Sequence, residues 1–374
     1  MAGLSQENKF RDVFNEKGIG NLANRIYKNY PKLNKKKFVE ECIENFESMS
    51  FMDRSNQICA ILYKHLPKEF PDAIDILLKS QEAPLPEPGK TDWDSFIYIP
   101  QCQYVSRYGK EYYDLSMNAL YELTQRCSAE SELRTFIEIH PEKTLGILRK
   151  WARDQSDHVR RLVSEGTRPR LPLAGRIVRF QKNPKPVIEL LELLKDDPSL
   201  YVRRSVANNL NDISKDHPEL VIEVLNSWKK GASKERLWIL QHATRGLIKQ
   251  GHTGALQLLD VHTDAKIKLS EFSLDKKKVK IGSELPFSFW IESKEDKTVS
   301  VVIDYRIHFV KANGETKPKV FKLRKIKLQC NSKIKIETKF KARETSGRKL
   351  YTGEHKIEIQ VNGKMLAENL FMLT

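Results

Sequence analysis

The triplet Val159-Arg160-Arg161 returns 43 residues later as Val202-Arg203-Arg204, and each copy follows a short turn built from Asp, Ser or Pro. A second echo links His140-Pro141-Glu142 to Trp151 and His217-Pro218-Glu219 to Trp228. The interval is 11 residues both times, and the copies lie 77 apart. A period of about 40 made of paired helices is how HEAT-like α-solenoids are built, because each pair buries its apolar face on the next. Apolar residues recur at three and four, as in Phe38-Val39-Cys42-Ile43-Phe46 and Val187-Ile188-Leu190-Leu191-Leu194. Pro31, Pro67, Pro71, Pro141, Pro198 and Pro218 punctuate the segments, as expected near helix starts. Residues 1–262 therefore read as a stack of helices, with a bundle lacking true repeats as the alternative. Residues 82–91, with three prolines, read as a loop.

Near residue 264 the texture changes. Lys266–Leu269, Pro286–Ile291, Val299–Phe309, Lys333–Phe340 and His355–Val361 largely alternate apolar and polar residues, the mark of strands with one buried face. Asn313-Gly314 and Asn362-Gly363 supply turn signals. About seven strands in residues 265–374 suggest an immunoglobulin-like β-sandwich. The Cys…Trp…Cys core of antibody domains is absent, so the expectation concerns architecture alone. The fold class expected is mainly α: a helical solenoid followed by a β-sandwich.

The net charge of +16 favours a polyanionic partner, since a basic protein gains by releasing counterions from nucleic acid. Residues 265–374 hold 25 Lys and Arg against 13 Asp and Glu, so +12 of that charge lies there. A basic domain kept soluble by its charge is the other reading. No apolar run of about 18 residues exists, so no membrane span is expected. The polar start lacks the apolar stretch of a signal peptide. Five scattered cysteines without a CxxC pair argue against a disulfide framework or zinc site and fit a reducing cytoplasm. Neither a metal nor a small-molecule cofactor is expected.

One carboxylate, Glu165, stands among Arg160, Arg161, Arg168 and Arg170, and the second Val-Arg-Arg segment leads to another acid, Asp212. Arginines so placed suit phosphates, but an acid among them repels DNA unless it serves chemistry. Each acid also has a plainer reading. Glu165 can pair with a neighbouring arginine, and Asp212, after Asn208, Asn209 and Asn211, can be a solvated acid at a helix end. Glu130, in a cluster with Glu132, can be an N-terminal charge favoured by the helix dipole. Trp151 and Trp228 read as core residues; Trp238, near Arg236, is a candidate for facing DNA.

The run from Val159 to Pro172 resembles the AlkC family of bacterial DNA alkylation-repair glycosylases. Val202–Ile213 and His217-Pro218-Glu219 are similar to the wider HEAT-like superfamily that includes AlkD. The likeness covers residues 105–260 best and is fainter at Phe10–Asn15. It implies a monofunctional, monomeric enzyme that cuts the N-glycosidic bond of cationic alkylated bases in double-stranded DNA. N3-methylcytosine and N1-methyladenine head its substrates, with N3-methyladenine as a further one. By position, Glu130, Glu165 and Asp212 match the family's active-site carboxylates, and Arg161 and Arg168 match arginines near the lesion. Arg160, Arg170, Arg203 and Arg204 are expected on the DNA backbone. Leu173 stands where the family commonly has a tryptophan, which removes a cation–π contact worth about 0.5–2 kcal/mol. That departure favours the alternative, a noncatalytic DNA-binding or scaffold protein.

The implied chemistry suits these residue types. A base with a fixed positive charge departs neutral, so it needs no protonation. The remaining demand is positive charge on the sugar, which carboxylates stabilise while orienting water. One such interaction at about 4 Å and an effective dielectric near 20 is on the order of 4 kcal/mol, or about three decades in rate. No lysine stands out as a Schiff-base nucleophile, so β-lyase activity is not expected. The sandwich, with Lys276, Lys277, Lys278 and the cations of 321–327, is expected to act as a second clamp on the duplex. A solvated strand face is the alternative there.

Overall fold

The computed structural model describes residues 12–85, 93–345 and 348–374. Residues 86–91 of the proline-rich loop, and Phe10 and Arg11 of the N-terminal likeness, lie outside the described residues. Helices follow one another from Glu16 to Leu258, and strands from Ile267 to Leu373. Local chemistry starts the helices where the sequence has caps. Ser50 Oγ accepts from the Asp53 amide at 3.3 Å while the Ser50 amide donates to Asp53 Oδ2 at 3.2 Å, a reciprocal box at the start of Phe51–His65. The helices Pro141–Trp151 and Pro218–Lys229 each open on proline after a histidine, where the missing N–H costs nothing.

Two compact units divide the chain, Met1–Asp216 and His217–Thr374. The first holds helices joined by turns and loops, with no strand among its described residues. Val159, Leu162 and Val163 of the Asp157–Gly166 helix, and Val202, Val206 and Leu210 of the Leu200–Ile213 helix, are fully buried. Each such side chain contributes about 1.5–3 kcal/mol. These two helices are the repeat partners seen in the sequence, and they pack against each other.

The second unit carries eight strands: β1 (Ile267–Leu274), β2 (Lys278–Val279), β3 (Glu284–Ser293), β4 (Val299–Val310), β5 (Thr316–Leu328), β6 (Lys333–Lys341), β7 (Gly353–Val361) and β8 (Lys364–Leu373). They form a three-stranded sheet, β1-β3-β6, and a five-stranded sheet, β2-β8-β7-β4-β5. All pairings are antiparallel except β2 with β8. Inward residues Phe287, Phe289, Ile291, Ile303, Ile307, Phe340, Ile357, Ile359 and Phe371 form one core between them. Asn362 (φ 49) and Gly363 (φ 80) make the two-residue turn between β7 and β8, as that dipeptide demands.

Helix gives way to strand between Leu258 and Ile267, yet the compact units part earlier, because the helices after Pro218 belong with the sandwich. Gly251 ends the Arg245–Gln250 helix at φ 77 and meets Gly363 so closely that a Cβ on Gly363 would lie 2.5 Å from the Gly251 Cα. Only glycine satisfies both the left-handed backbone and that approach. Asn362 adds a second tie, accepting from the Val302 amide and donating to the His262 carbonyl, both at 2.8 Å.

Candidate active site

The two Val-Arg-Arg copies begin from identical turns. Asp154 Oδ1 accepts from the Ser156 amide at 2.8 Å, and Asp197 Oδ1 accepts from the Ser199 amide at 2.9 Å. Arg160 then reaches back to donate to the Asp154 and Gln155 carbonyls, both at 2.8 Å. Arg203 does the same to the Asp197 and Pro198 carbonyls, both at 2.7 Å. Arg160 also clasps the Asp197 carboxylate through Nε at 2.6 Å and Nη2 at 3.0 Å, tying one repeat to the turn of the next. The guanidinium groups of Arg160 and Arg203 are thus engaged by the turns that precede their own helices. These two arginines are expected on DNA phosphates from the sequence; in this structure each donates to the carbonyls of the turn before its helix.

One residue further on, the arrangement changes character. Arg161 Nη1 donates to Ser128 Oγ at 2.7 Å and to Glu130 Oε2 at 3.3 Å, with Nη2 3.8 Å from Glu165 Oε1. Arg168 follows, 2.6 Å from Glu165 Oε1 and 2.8 Å from Asp212 Oδ2. Lys215 closes the row at 2.8 Å from Asp212 Oδ1. Glu130, Arg161, Glu165, Arg168, Asp212 and Lys215 therefore form an alternating ladder of acids and bases. Its middle is buried, with side-chain exposure of 8% at Glu165 and 2% at Asp212, and its ends open to solvent, with 23% at Glu130 and 49% at Lys215. All three acids singled out in the sequence meet here, held by three different helices.

Burial alone would raise the Glu165 pKa. Arg161, Arg168 and the Ser205 hydroxyl, which donates to Oε2 at 2.6 Å, outweigh it and hold the group below the usual carboxylate range. Burial opposes the charge on Arg168 too, and its two carboxylates prevail, so its pKa lies above the ordinary value. Tyr201 lays its ring 4.7 Å from the Arg161 guanidinium, fixing that cation between Glu130 and Glu165. Ser205, Tyr201, Ser128 and Lys215 were not singled out in the sequence. Ser205 and Tyr201 flank the second Val-Arg-Arg, and that proximity was the only available signal. Glu132 lies two residues beyond Glu130 in the first turn of the same helix. Burial and then the Glu130 charge push its pKa up to about 8, so it is mostly neutral at pH 7.

The other expected site residues are dispersed. Arg170 forms a two-pronged pair with Asp216 at 3.1 and 2.6 Å on the surface. Arg204 is exposed, and no carboxylate pairs with it among the described residues. Leu173 is fully exposed, in a left-handed backbone conformation at φ 62. Lys276, Lys277 and Lys278 are exposed at the entry to β2. On the sandwich the two lysine-rich edge strands differ. Lys333, Lys335 and Lys339 of β6 pair with Glu271, Glu337 and Glu284, whereas Lys317, Lys319, Lys322, Arg324 and Lys327 of β5 have no carboxylate partner among the described residues. Of the tryptophans, Trp228 is buried, Trp151 is only half-buried beside Tyr121, and Trp238 stacks on His242 at 4.8 Å. Among the described residues no cluster of His, Cys, Asp and Glu is placed to hold a metal, and no helix is long and apolar enough to cross a membrane.

Fold and site together define a HEAT-like helical-repeat protein with an immunoglobulin-like domain and a buried ladder of acids and arginines. A family model described as the C-terminal Ig-like domain of the uncharacterised protein YhaZ matches residues 268–374. The uncharacterized protein YhaZ of Bacillus subtilis (strain 168) is 36% identical over 357 residues, spanning 95% of this chain and 96% of that protein. The solved structure of the Pseudomonas fluorescens alkylpurine DNA glycosylase AlkC, bound to DNA containing an abasic site analog, is 33% identical. It superposes with a TM-score of 0.90 over 98% of this chain and 99% of its own. The chain belongs to the AlkC-type family of HEAT-like DNA alkylation-repair glycosylases, with which its YhaZ relative shares the Ig-like domain.

Proposed function

We propose that this chain is a DNA glycosylase for alkylated bases, that it prefers cationic lesions such as N3-methylcytosine, N1-methyladenine and N3-methyladenine, and that it works as a monofunctional, monomeric hydrolase. The observation that carries the reading is the ladder, which gathers Glu130, Glu165 and Asp212 in one place and balances them with Arg161, Arg168 and Lys215. A cationic base leaves as a neutral molecule, so the enzyme supplies negative charge to the sugar rather than a proton to the base. Glu165 suits that task because its cationic neighbours keep it ionised. When a phosphate approaches, Arg161 and Arg168 can share their charge with it, leaving the carboxylates free to face the oxocarbenium and to orient water.

Lys215 Nζ donates to Asp212 Oδ1 at 2.8 Å, and an amine engaged by a carboxylate is poorly placed to attack the abasic sugar as a Schiff-base nucleophile. The expected product is an intact abasic site that borohydride does not trap on the protein. Exposed Arg204, Lys276, Lys277, Lys278 and the unpaired cations of β5 serve the DNA backbone, so 1–262 and 265–374 act as catalytic and clamping domains respectively. The work is done in the cytoplasm.

Leu173 favours a second reading, a DNA-binding protein without catalysis, because a leucine cannot present a π face to a cationic base. The two readings part in an assay of abasic-site formation in a duplex carrying one N3-methylcytosine, with wild type beside Leu173→Trp. Release by the wild type supports the glycosylase. No release from either protein, with tight DNA binding, sinks it in favour of the binder.

A further inference from the structure

Arg134 is a buried arginine, 6% exposed, that no carboxylate pairs with among the described residues. Such a charge is costly to bury, and burial lowers its pKa to about 10, so it remains a cation at neutral pH. Its donors go instead to backbone. Nη1 donates to the Gly166 carbonyl at 3.2 Å and the Arg168 carbonyl at 2.7 Å, and Nη2 donates to the Gly175 carbonyl. These three acceptors bracket the irregular segment from Thr167 to Ile177, which the Ile177 amide closes with a bond to the Pro169 carbonyl at 3.2 Å. The segment holds Arg168, at the centre of the ladder, and Leu173, fully exposed in a left-handed conformation that side chains other than glycine rarely adopt. A strained residue persists only where its surroundings over-determine it.

Gly166 explains how Arg134 reaches the segment. A Cβ there would lie 2.6 Å from Leu133 Cδ2, so the glycine lets the Glu130–Ile139 helix lie directly against the end of Asp157–Gly166. Arg134, the next residue along, is thereby brought under the segment.

We propose that Arg134 is a positioning residue: its planar fork fixes the 167–177 segment, and with it the places of Arg168 and Leu173 relative to the bound lesion. The proposal rests on the glycosylase reading for its effect on excision but not for its effect on the segment. A lysine retains the charge but has one nitrogen where the fork has three, so it cannot hold acceptors at Gly166, Arg168 and Gly175 together.

The test compares wild type, Arg134→Lys and Arg134→Met in the full chain. Backbone amide exchange of residues 167–177 is followed by mass spectrometry, beside single-turnover release of N3-methylcytosine and affinity for an undamaged duplex. Both variants are expected to exchange about tenfold faster within 167–177, with the helices on either side protected as in the wild type. Excision by Arg134→Lys is expected to fall about ten- to a hundredfold, because small displacements at a reacting centre are costly, while affinity for undamaged DNA changes by less than about twofold. If Arg134→Met fails to fold, Arg134→Lys decides. Unchanged exchange of 167–177 in Arg134→Lys overturns the proposal whatever happens to excision, and faster exchange with unimpaired excision overturns the positioning role. Absence of excision in the wild type refutes the glycosylase reading instead, and the exchange comparison still judges the fork.

Discussion

Glu132→Gln gives a prediction whose size follows from the environment of one carboxyl. Glu132 lies near Cys102, Cys127 and Arg107, and burial followed by the Glu130 charge raises its pKa from 4.5 to about 8. In the unfolded chain the group loses its proton near pH 4.5, whereas in the folded protein it keeps it to about pH 8. The unfolded state therefore binds fewer protons between those values, and stability falls as pH rises through that window. A shift of that size is worth at most about 5 kcal/mol at 1.36 kcal/mol per decade. Glu132 is only part-buried as a residue, so solvent screening brings the expectation to about 2 kcal/mol. Glutamine keeps the shape and cannot ionise. Urea denaturation followed at pH 5, 6.5 and 8.5 should show the stability advantage of Glu132→Gln over wild type growing by about 2 kcal/mol across the series. Curves that stay parallel, or a gap that shrinks with pH, would refute the burial argument for this group.

Arg168→Met should destabilise the protein by about 3–5 kcal/mol, because Glu165 and Asp212 are left buried without their shared cation. Adding Asp212→Asn should recover part of that loss in a double-mutant cycle, and strict additivity would dissolve the ladder as a coupled unit. Gly363→Ala should cost about 3 kcal/mol from overpacking and left-handed strain together, whereas Gly314→Ala, with open space around it, should cost only about 1 kcal/mol. Equal losses in the two variants would refute the close approach of Gly363 to Gly251. Arg204→Ala and Lys322→Ala should each lower the salt dependence of DNA binding by about one phosphate contact, while Lys335→Ala, already paired with Glu337, should leave it unchanged. Identical slopes for all three would remove these cations from the interface.

The sandwich was legible because alternation and the Asn362-Gly363 dipeptide encode strands and turns locally. The meeting of Glu130, Glu165 and Asp212 was legible only through the resemblance of the Val159–Pro172 run to a family, since nothing in their spacing brings three helices together. The backbone contacts of Arg160 and Arg203 were not read from the chain. An arginine spans enough length to reach a phosphate or to fold back onto its own turn, and composition does not distinguish the two. The aspartate six residues before each, Asp154 and Asp197, was the visible clue, because the turn it caps leaves carbonyls that a following guanidinium can satisfy. Arg134 was hidden for the same reason, since its acceptors are backbone atoms 32 to 41 residues away. The parting of the compact units at Asp216 rather than near residue 262 follows from contacts such as Gly251 on Gly363, which leave no periodic trace.

The central claim is that Glu165 stabilises the positive charge that develops on the sugar as the alkylated base departs. Single-turnover release of N3-methylcytosine from a defined duplex by wild type and Glu165→Gln, from pH 5.5 to 8.5, tests it most directly. Because Arg161 and Arg168 hold Glu165 below the usual carboxylate range, the wild-type rate should show no acid limb from this group within that range. Glu165→Gln should lose about three decades in rate while still binding the duplex. Release by Glu165→Gln at the wild-type rate would contradict the account.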